Sequence, residues 1–125
     1  MPAENLAKQL TAGTKDLNQK YQMITAWVSR NIAYDFVKAA KVAKIKNVAP
    51  DPAACWATHR GICQDIASVV TIMLRAVGVR SYMCVGHAGN AYHAWVQAYA
   101  GSRVYVYDHD KPAGKDIKYR IEKVY

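Results

Sequence analysis

The sequence predicts an α+β fold, with helices first and an antiparallel sheet after them. Apolar residues recur at three- and four-residue steps through "KYQMITAWVSRNIAYDFVKAA" and again after Cys63, which is the spacing of helix faces. Beyond Gly78 the period changes to short, β-rich, partly alternating runs. Turn signals separate those runs, above all the pair Gly101-Ser102. Helices grouped ahead of strands give a segregated α+β order rather than an alternating one.

Taken in order, residues 1–20 are polar, with a short helix expected around 5–10. Residues 20–40 carry Tyr21, Ile24, Trp27, Val28, Ile32 and Phe36 as one core-facing helical stripe. "VKAAKVAKIKNVAP" continues it with lysines at 38, 41, 44 and 46, read as a solvated face and a helix end. "NVAPDPAAC", with Pro50 and Pro52, reads as a break or loop. A second long helix starts near Cys63, with Gly61 permitting the turn before it. Ile66, Val69, Val70, Met73, Leu74 and Val77 form its stripe, and Gly78 stands where a helix-ending glycine belongs. "VRSYMCVG", "YHAWVQAY" and "RVYVYD" follow as strands, and "DIKYRIEKVY" supplies one more.

Composition bounds the function. The chain has 125 residues, 52% hydrophobic and 21% charged, which suits one globular domain over 1–125. The formal charge of +8 favours acidic partners, such as an acidic peptide or an anionic cell-surface polymer. No interleaving of aromatic and basic residues points to a specific nucleic-acid site. No apolar run approaches the ~20 residues of a membrane span. "MPAENLAKQL" lacks the apolar stretch of a signal peptide. Three cysteines, Cys55, Cys63 and Cys84, are an odd number and not a disulfide framework. Cys55 and Cys84 read as structural, with a bridge between them possible only in an oxidising compartment.

The chemistry turns on Cys63. A helix start stabilises a thiolate through unpaired N–H groups and the helix dipole. The plainer reading is a buried small hydrophobe, the commonest fate of a free cysteine. His93, in "AYHAWVQAY", shifts the balance once the next strand is considered. If Gly101 and Ser102 form a two-residue turn, opposed residue numbers sum to 203. Trp95 then faces Asp108, and Asp108 is the diagonal same-face neighbour of His93. A slip of one residue would put the two on opposite faces. Asp110 shares the parity and lies opposite His93, which makes it the competing carboxylate. A cysteine, a histidine and an acid together suit nucleophilic catalysis: the acid orients the imidazole, and the imidazole manages the thiol proton. The Cys63 N–H is one oxyanion donor; Trp56, His59 and His87 are candidates for a second. A metal reading remains beside this, from the C-x3-H-x3-C run of Cys55, His59 and Cys63 with His93, although that spacing is not a familiar zinc pattern.

"ITAWVSRNIAYD" (24–35), "RGICQDIASVVTIMLRAVGVRSYMCVG" (60–86), "YHAWVQAY" (92–99) and "RVYVYD" (103–108) together resemble the transglutaminase-like superfamily in order, spacing and flanking residues. The resemblance implies a papain-like α+β core, with the cysteine at a helix start and the histidine and aspartate on adjacent strands. Carried over, Cys63 matches the nucleophile, His93 the base, Asp108 the orienting acid and Gly61 the turn glycine. Trp95 matches the tryptophan after the histidine, which packs as structure, and stands with Trp56, His59 and His87 among the candidates for the oxyanion site or substrate cleft. The sequence departs from the family pattern in having only tyrosines in "RVYVYDHDKP". The implied activity is acyl transfer through a thioester, with hydrolysis of peptide or amide bonds favoured. Amine cross-linking and a non-catalytic binding module of the same fold are the alternatives. No cofactor and no metal are expected, and the expected partner is a peptide or protein substrate. A secreted or extracytoplasmic location is an expectation carried by the resemblance alone.

Overall fold

The computed structural model describes residues 2–43, 45, 48–109 and 117–125. Helix α1 (Pro2–Leu10) is followed by α2 (Leu17–Asn31), strand β1 (Ala33–Tyr34), α3 (Phe36–Val42), α4 (Pro52–Thr58), β2 (Arg60–Gly61) and α5 (Cys63–Ala76). Strands β3 (Arg80–Ala88), β4 (Ala91–Ala100), β5 (Arg103–Tyr107) and β6 (Tyr119–Val124) complete the chain. The α+β order is as the sequence predicts. The four-stranded sheet runs β5–β4–β3–β6, and each neighbouring pair is antiparallel.

Helix α5 is the centre of the core. Its Ile66, Val69, Val70, Met73 and Leu74 are buried, and they meet Ala3 and Ala7 of α1, Tyr21, Ile24 and Val28 of α2, and Met83, Val96 and Ala98 of the sheet. After α5 the chain turns through Gly78, whose φ of +85° is the left-handed conformation that favours glycine. Helix α2 is also tied to β5: Tyr105 donates from its hydroxyl to Asn18 Oδ1 (2.8 Å), and the Tyr107 and Ser29 hydroxyls lie 2.9 Å apart.

Three sequence expectations are corrected. The stripe over 20–40 is two helices, not one. Ile32 ends α2 in extended conformation (φ −112°, ψ 125°), and Asp35 then caps a new helix by accepting from the Lys38 N–H. The break lifts Phe36 out of the core; it is 76% exposed. The loop read at Pro50–Pro52 gives way to α4, because Asp51 caps it through the Ala54 N–H and Pro52 sits in its first turn, where a missing N–H costs nothing. The first helix begins at Pro2 rather than at 5.

The segment before Cys63 is fixed by a pairing the sequence did not suggest. β1 and β2 form a short parallel ladder, Ala33 with Arg60 and Tyr34 with Gly61. The Ala33 N–H donates to the His59 carbonyl (2.9 Å) and the Asp35 N–H to the Gly61 carbonyl (2.8 Å). Gly61 therefore serves as strand rather than turn, and its φ is not positive. Glycine is needed there for space: a Cβ would lie 2.8 Å from both Asp65 Cβ and Cys55 Sγ.

Candidate active site

Cys63 opens α5, at the first helical position, and is partly exposed. The N-cap is Ile62, which has no side-chain acceptor, so the first N–H groups of α5 are not capped from that position. Asp65, one turn in, reaches back instead. It is 1% exposed, and Oδ2 accepts from the Ile62 N–H (3.0 Å) and from Lys38 Nζ (2.7 Å), while Oδ1 accepts from the Asp51 N–H (2.8 Å). One carboxylate thus fastens α3, the start of α4 and the start of α5 to each other.

The β4–β5 register has the parity that the chemistry requires. Ala100 pairs with Arg103, Tyr99 with Val104 and Val96 with Tyr107, so opposed numbers sum to 203 across the Gly101-Ser102 turn. His93 and Asp108 meet accordingly: His93 Nε2 is 2.8 Å from Asp108 Oδ1. The pair is well enclosed, with side-chain exposures of 14% and 2%. Asp108 Oδ2 accepts a second bond, from the Tyr119 hydroxyl (2.9 Å) on β6. Nε2 faces the carboxylate, which leaves Nδ1 as the ring atom available to sulfur. Burial is the largest single influence on His93 and works against its proton. Hydrogen bonds to Asp108 and Cys63, with the charges of both, outweigh it together and raise the imidazole from 6.5 to about 10. An imidazole held between a sulfur and a buried carboxylate can keep a proton in reserve at neutral pH.

The other sequence candidates are placed as follows. Trp95 is buried (1% exposed) and packs on Tyr119, with ring centroids 4.7 Å apart, and beside His93 at 6.3 Å. Trp56 and His59 form an aromatic triangle with Trp27, at centroid distances of 5.4 to 5.8 Å. His87 faces Tyr92, Arg120 and Glu122 between β3 and β6. Two cavities include Cys63 in their walls, and Trp56, His59 and His87 line neither. Asp110, the competing acid, lies outside the described residues.

Cys55 and Cys84 are buried free thiols, not a bridge. Burial pushes Cys55 up to about 12 and raises Cys84 as well. Among the described residues no group of three or more His, Cys, Asp or Glu side chains is arranged to hold a metal, so Cys55, His59, Cys63 and His93 are not gathered into one site. Among those residues, too, no helix is long and apolar enough to cross a membrane.

Four residues of the site were not singled out from the sequence. Asp65 and Tyr119 act at long range, and no periodicity marks them. Tyr107 and His109 share a narrow cavity with Cys63, Ile66 and Trp95, and the Tyr107 hydroxyl is 2.7 Å from His109 Nδ1. Their place just before and after Asp108 was the available signal.

Comparison with known proteins gives a consistent family. A family model described as the transglutaminase-like superfamily matches residues 4–109. No curated protein matches the chain. Among solved structures, a candidate cysteine protease from Cytophaga hutchinsonii superposes with a TM-score of 0.67 at 21% identity, over 85% of this chain and 36% of that one. A candidate protease from Parabacteroides distasonis gives 0.66 at 19% identity, over 89% and 23%. A protein described as a TGase gives 0.67 at 18% identity, over 98% and 35%. At these identities the likeness is one of fold. The chain spans between 23% and 36% of the length of these structures.

Proposed function

The chain belongs to the transglutaminase-like superfamily, and from that premise we propose that it cleaves peptide or amide bonds through a thioester on Cys63. His93 is the acid–base group and Asp108 orients it. The observation that carries this reading is the His93 ring, bonded to Asp108 at 2.8 Å and hydrogen-bonded to Cys63 on its other side.

The reaction proceeds in two halves. Cys63 sulfur, as thiolate, adds to the carbonyl carbon, and the oxyanion is met by N–H groups at the start of α5. The C–N bond breaks as the His93 imidazolium gives its proton to the leaving amine. The acyl group is then a thioester, and His93 is neutral. Water loses a proton to His93 and attacks the thioester, so the acid is released and the thiolate–imidazolium pair returns. Asp108 stays ionised throughout and keeps Nδ1 turned towards sulfur, while Tyr119 holds its second oxygen. An acceptor amine would have to compete with ~55 M water for the thioester.

The test is a peptide digest run in H₂¹⁸O with a fluorescent primary amine present. Hydrolysis gives new carboxyl ends carrying ¹⁸O. Amine incorporation at the same ends gives cross-linking chemistry instead. Cys63→Ala should abolish either product. A wild-type protein that forms neither product, while still retaining peptides on a column, is a binding module, and the proposal fails.

A further inference from the structure

The larger cavity at Cys63 has a character of its own. Ile45, Val48, Pro50, Ile62, Met83 and Val85 are the larger aliphatic side chains of its wall, beside the polar Gln64 and Lys123. Lys123 is the one charged side chain among the described lining residues, and no Asp or Glu side chain is among them. Ile45, Tyr92 and Tyr125 stand at this groove with 59%, 65% and 57% of their surface exposed. Large apolar side chains left in water around a concave, apolar wall mark a surface that receives a ligand.

The groove is also preformed. The Gln64 side-chain amide donates to the Val48 carbonyl (2.9 Å), and the Asp51 N–H donates to buried Asp65 (2.8 Å). The wall at 48–50 is therefore pinned to the same helix start that carries Cys63. A ligand need not order this wall in order to bind, so burial of its apolar surface goes into affinity.

We propose that this groove selects the acyl donor: a peptide whose bulky aliphatic or aromatic side chain, within a residue of the scissile carbonyl, fills the pocket that Ile45, Val48 and Pro50 form with β3, with an acidic group towards Lys123. This rests on the reading of Cys63 as nucleophile and narrows its substrate class. A basic side chain would bring a second cation beside Lys123 and meet no Asp or Glu side chain among the described lining residues.

The probes are N-blocked aminoacyl chloromethyl ketones. Their carbon forms a thioether with Cys63 sulfur as chloride leaves, so the rate reads occupancy of the groove without needing turnover. A leucyl or phenylalanyl probe should react at least about tenfold faster than its glycyl counterpart, the worth of burying one large apolar side chain. The lysyl probe should be the slowest of those with large side chains. A succinyl block should outpace an acetyl block on the leucyl probe, and Lys123→Glu should reverse that order. Ile45→Asp, at an exposed position that leaves the core intact, should lower the leucyl-to-glycyl ratio several-fold. A ratio within about twofold of one in the wild-type protein overturns the proposal while leaving the nucleophile reading in place. A Cys63 that iodoacetamide leaves unmodified at neutral pH overturns both.

Discussion

Replacing Asp65 with asparagine keeps the side-chain shape and removes its charge. In the native site its two oxygens accept three bonds: from the Asp51 N–H at 2.8 Å, the Ile62 N–H at 3.0 Å and Lys38 Nζ at 2.7 Å. Asparagine offers one acceptor and one donor, so one backbone N–H must face an NH₂ group and Lys38 loses its counter-ion. Breaking a buried pair by removing one partner costs ~3–5 kcal/mol. Lys38 is 29% exposed, and water takes up part of its charge, which puts the loss near the low end, ~3 kcal/mol. Unfolding entropy of ~2.1 cal/mol/K per residue gives ~260 cal/mol/K for a chain of 125 residues. The melting temperature should then fall by ~11 °C. Circular dichroism melts at neutral pH read this directly. Lys38→Met should also lower the melting temperature, because it leaves the buried carboxylate with its two backbone donors but no counter-ion. The Asp65→Asn variant should also alkylate more slowly at Cys63, since the Ile62 bond that sets the helix start is weakened. A melting temperature within about 2 °C of wild type would refute the argument that this carboxylate fastens the three segments, given the ~3 kcal/mol at stake.

His93 should titrate near pH 10 by NMR, so any step that needs its imidazolium persists through neutral pH and is lost as pH rises through that value. Asp108→Asn leaves burial less opposed and should move the midpoint down by more than about one unit; an unmoved midpoint would show that Asp108 does not hold the proton there. Gly61→Ala drives a Cβ to 2.8 Å from Asp65 Cβ and buried Cys55 Sγ and should cost ~2 kcal/mol in denaturant titration; a neutral effect would mean the β2–α5 junction is slack. Tyr119→Phe removes one donor from buried Asp108 and should lower the rate of peptide cleavage about tenfold and the melting temperature by about 6 °C, as a single bond to a charged group is worth ~1.5 kcal/mol. Gly86→Ala drives a Cβ into the Arg120 carbonyl oxygen; it should displace β6 and reproduce the Tyr119→Phe defect with a larger fall in melting temperature.

The parts of the fold legible in the sequence were those with a period. The α5 stripe from Ile66 to Leu74, the turn at Gly78 and the two-residue turn at Gly101-Ser102 each have a local physical cause, and each stands where that cause puts it. The register followed from the turn alone, and with it the meeting of His93 and Asp108. The break in the first long stripe was less visible because Ile32 and Phe36 keep helical spacing across it. The local signal was Asp35, a capping residue, and it competed with the stripe. Asp51-Pro52 was a similar case, a cap and first-turn pair that also reads as a loop. The Lys38–Asp65 pair and the Tyr119 bond to Asp108 join residues 27 and 11 apart with no repeating pattern, so only the folded chain brings them together.

The Tyr119 clasp also has a consequence in time. Cys63, His93 and Asp108 are all made before β6, and the second oxygen of Asp108 has no bond from Tyr119 until that strand has left the ribosome and paired along β3 through Gly86. A nascent chain would therefore carry its thiol and imidazole for some time with the carboxylate less firmly aimed. The strand that finishes the sheet is also the one that brings Tyr119 to Asp108, so a chain interrupted before residue 119 would lack that bond.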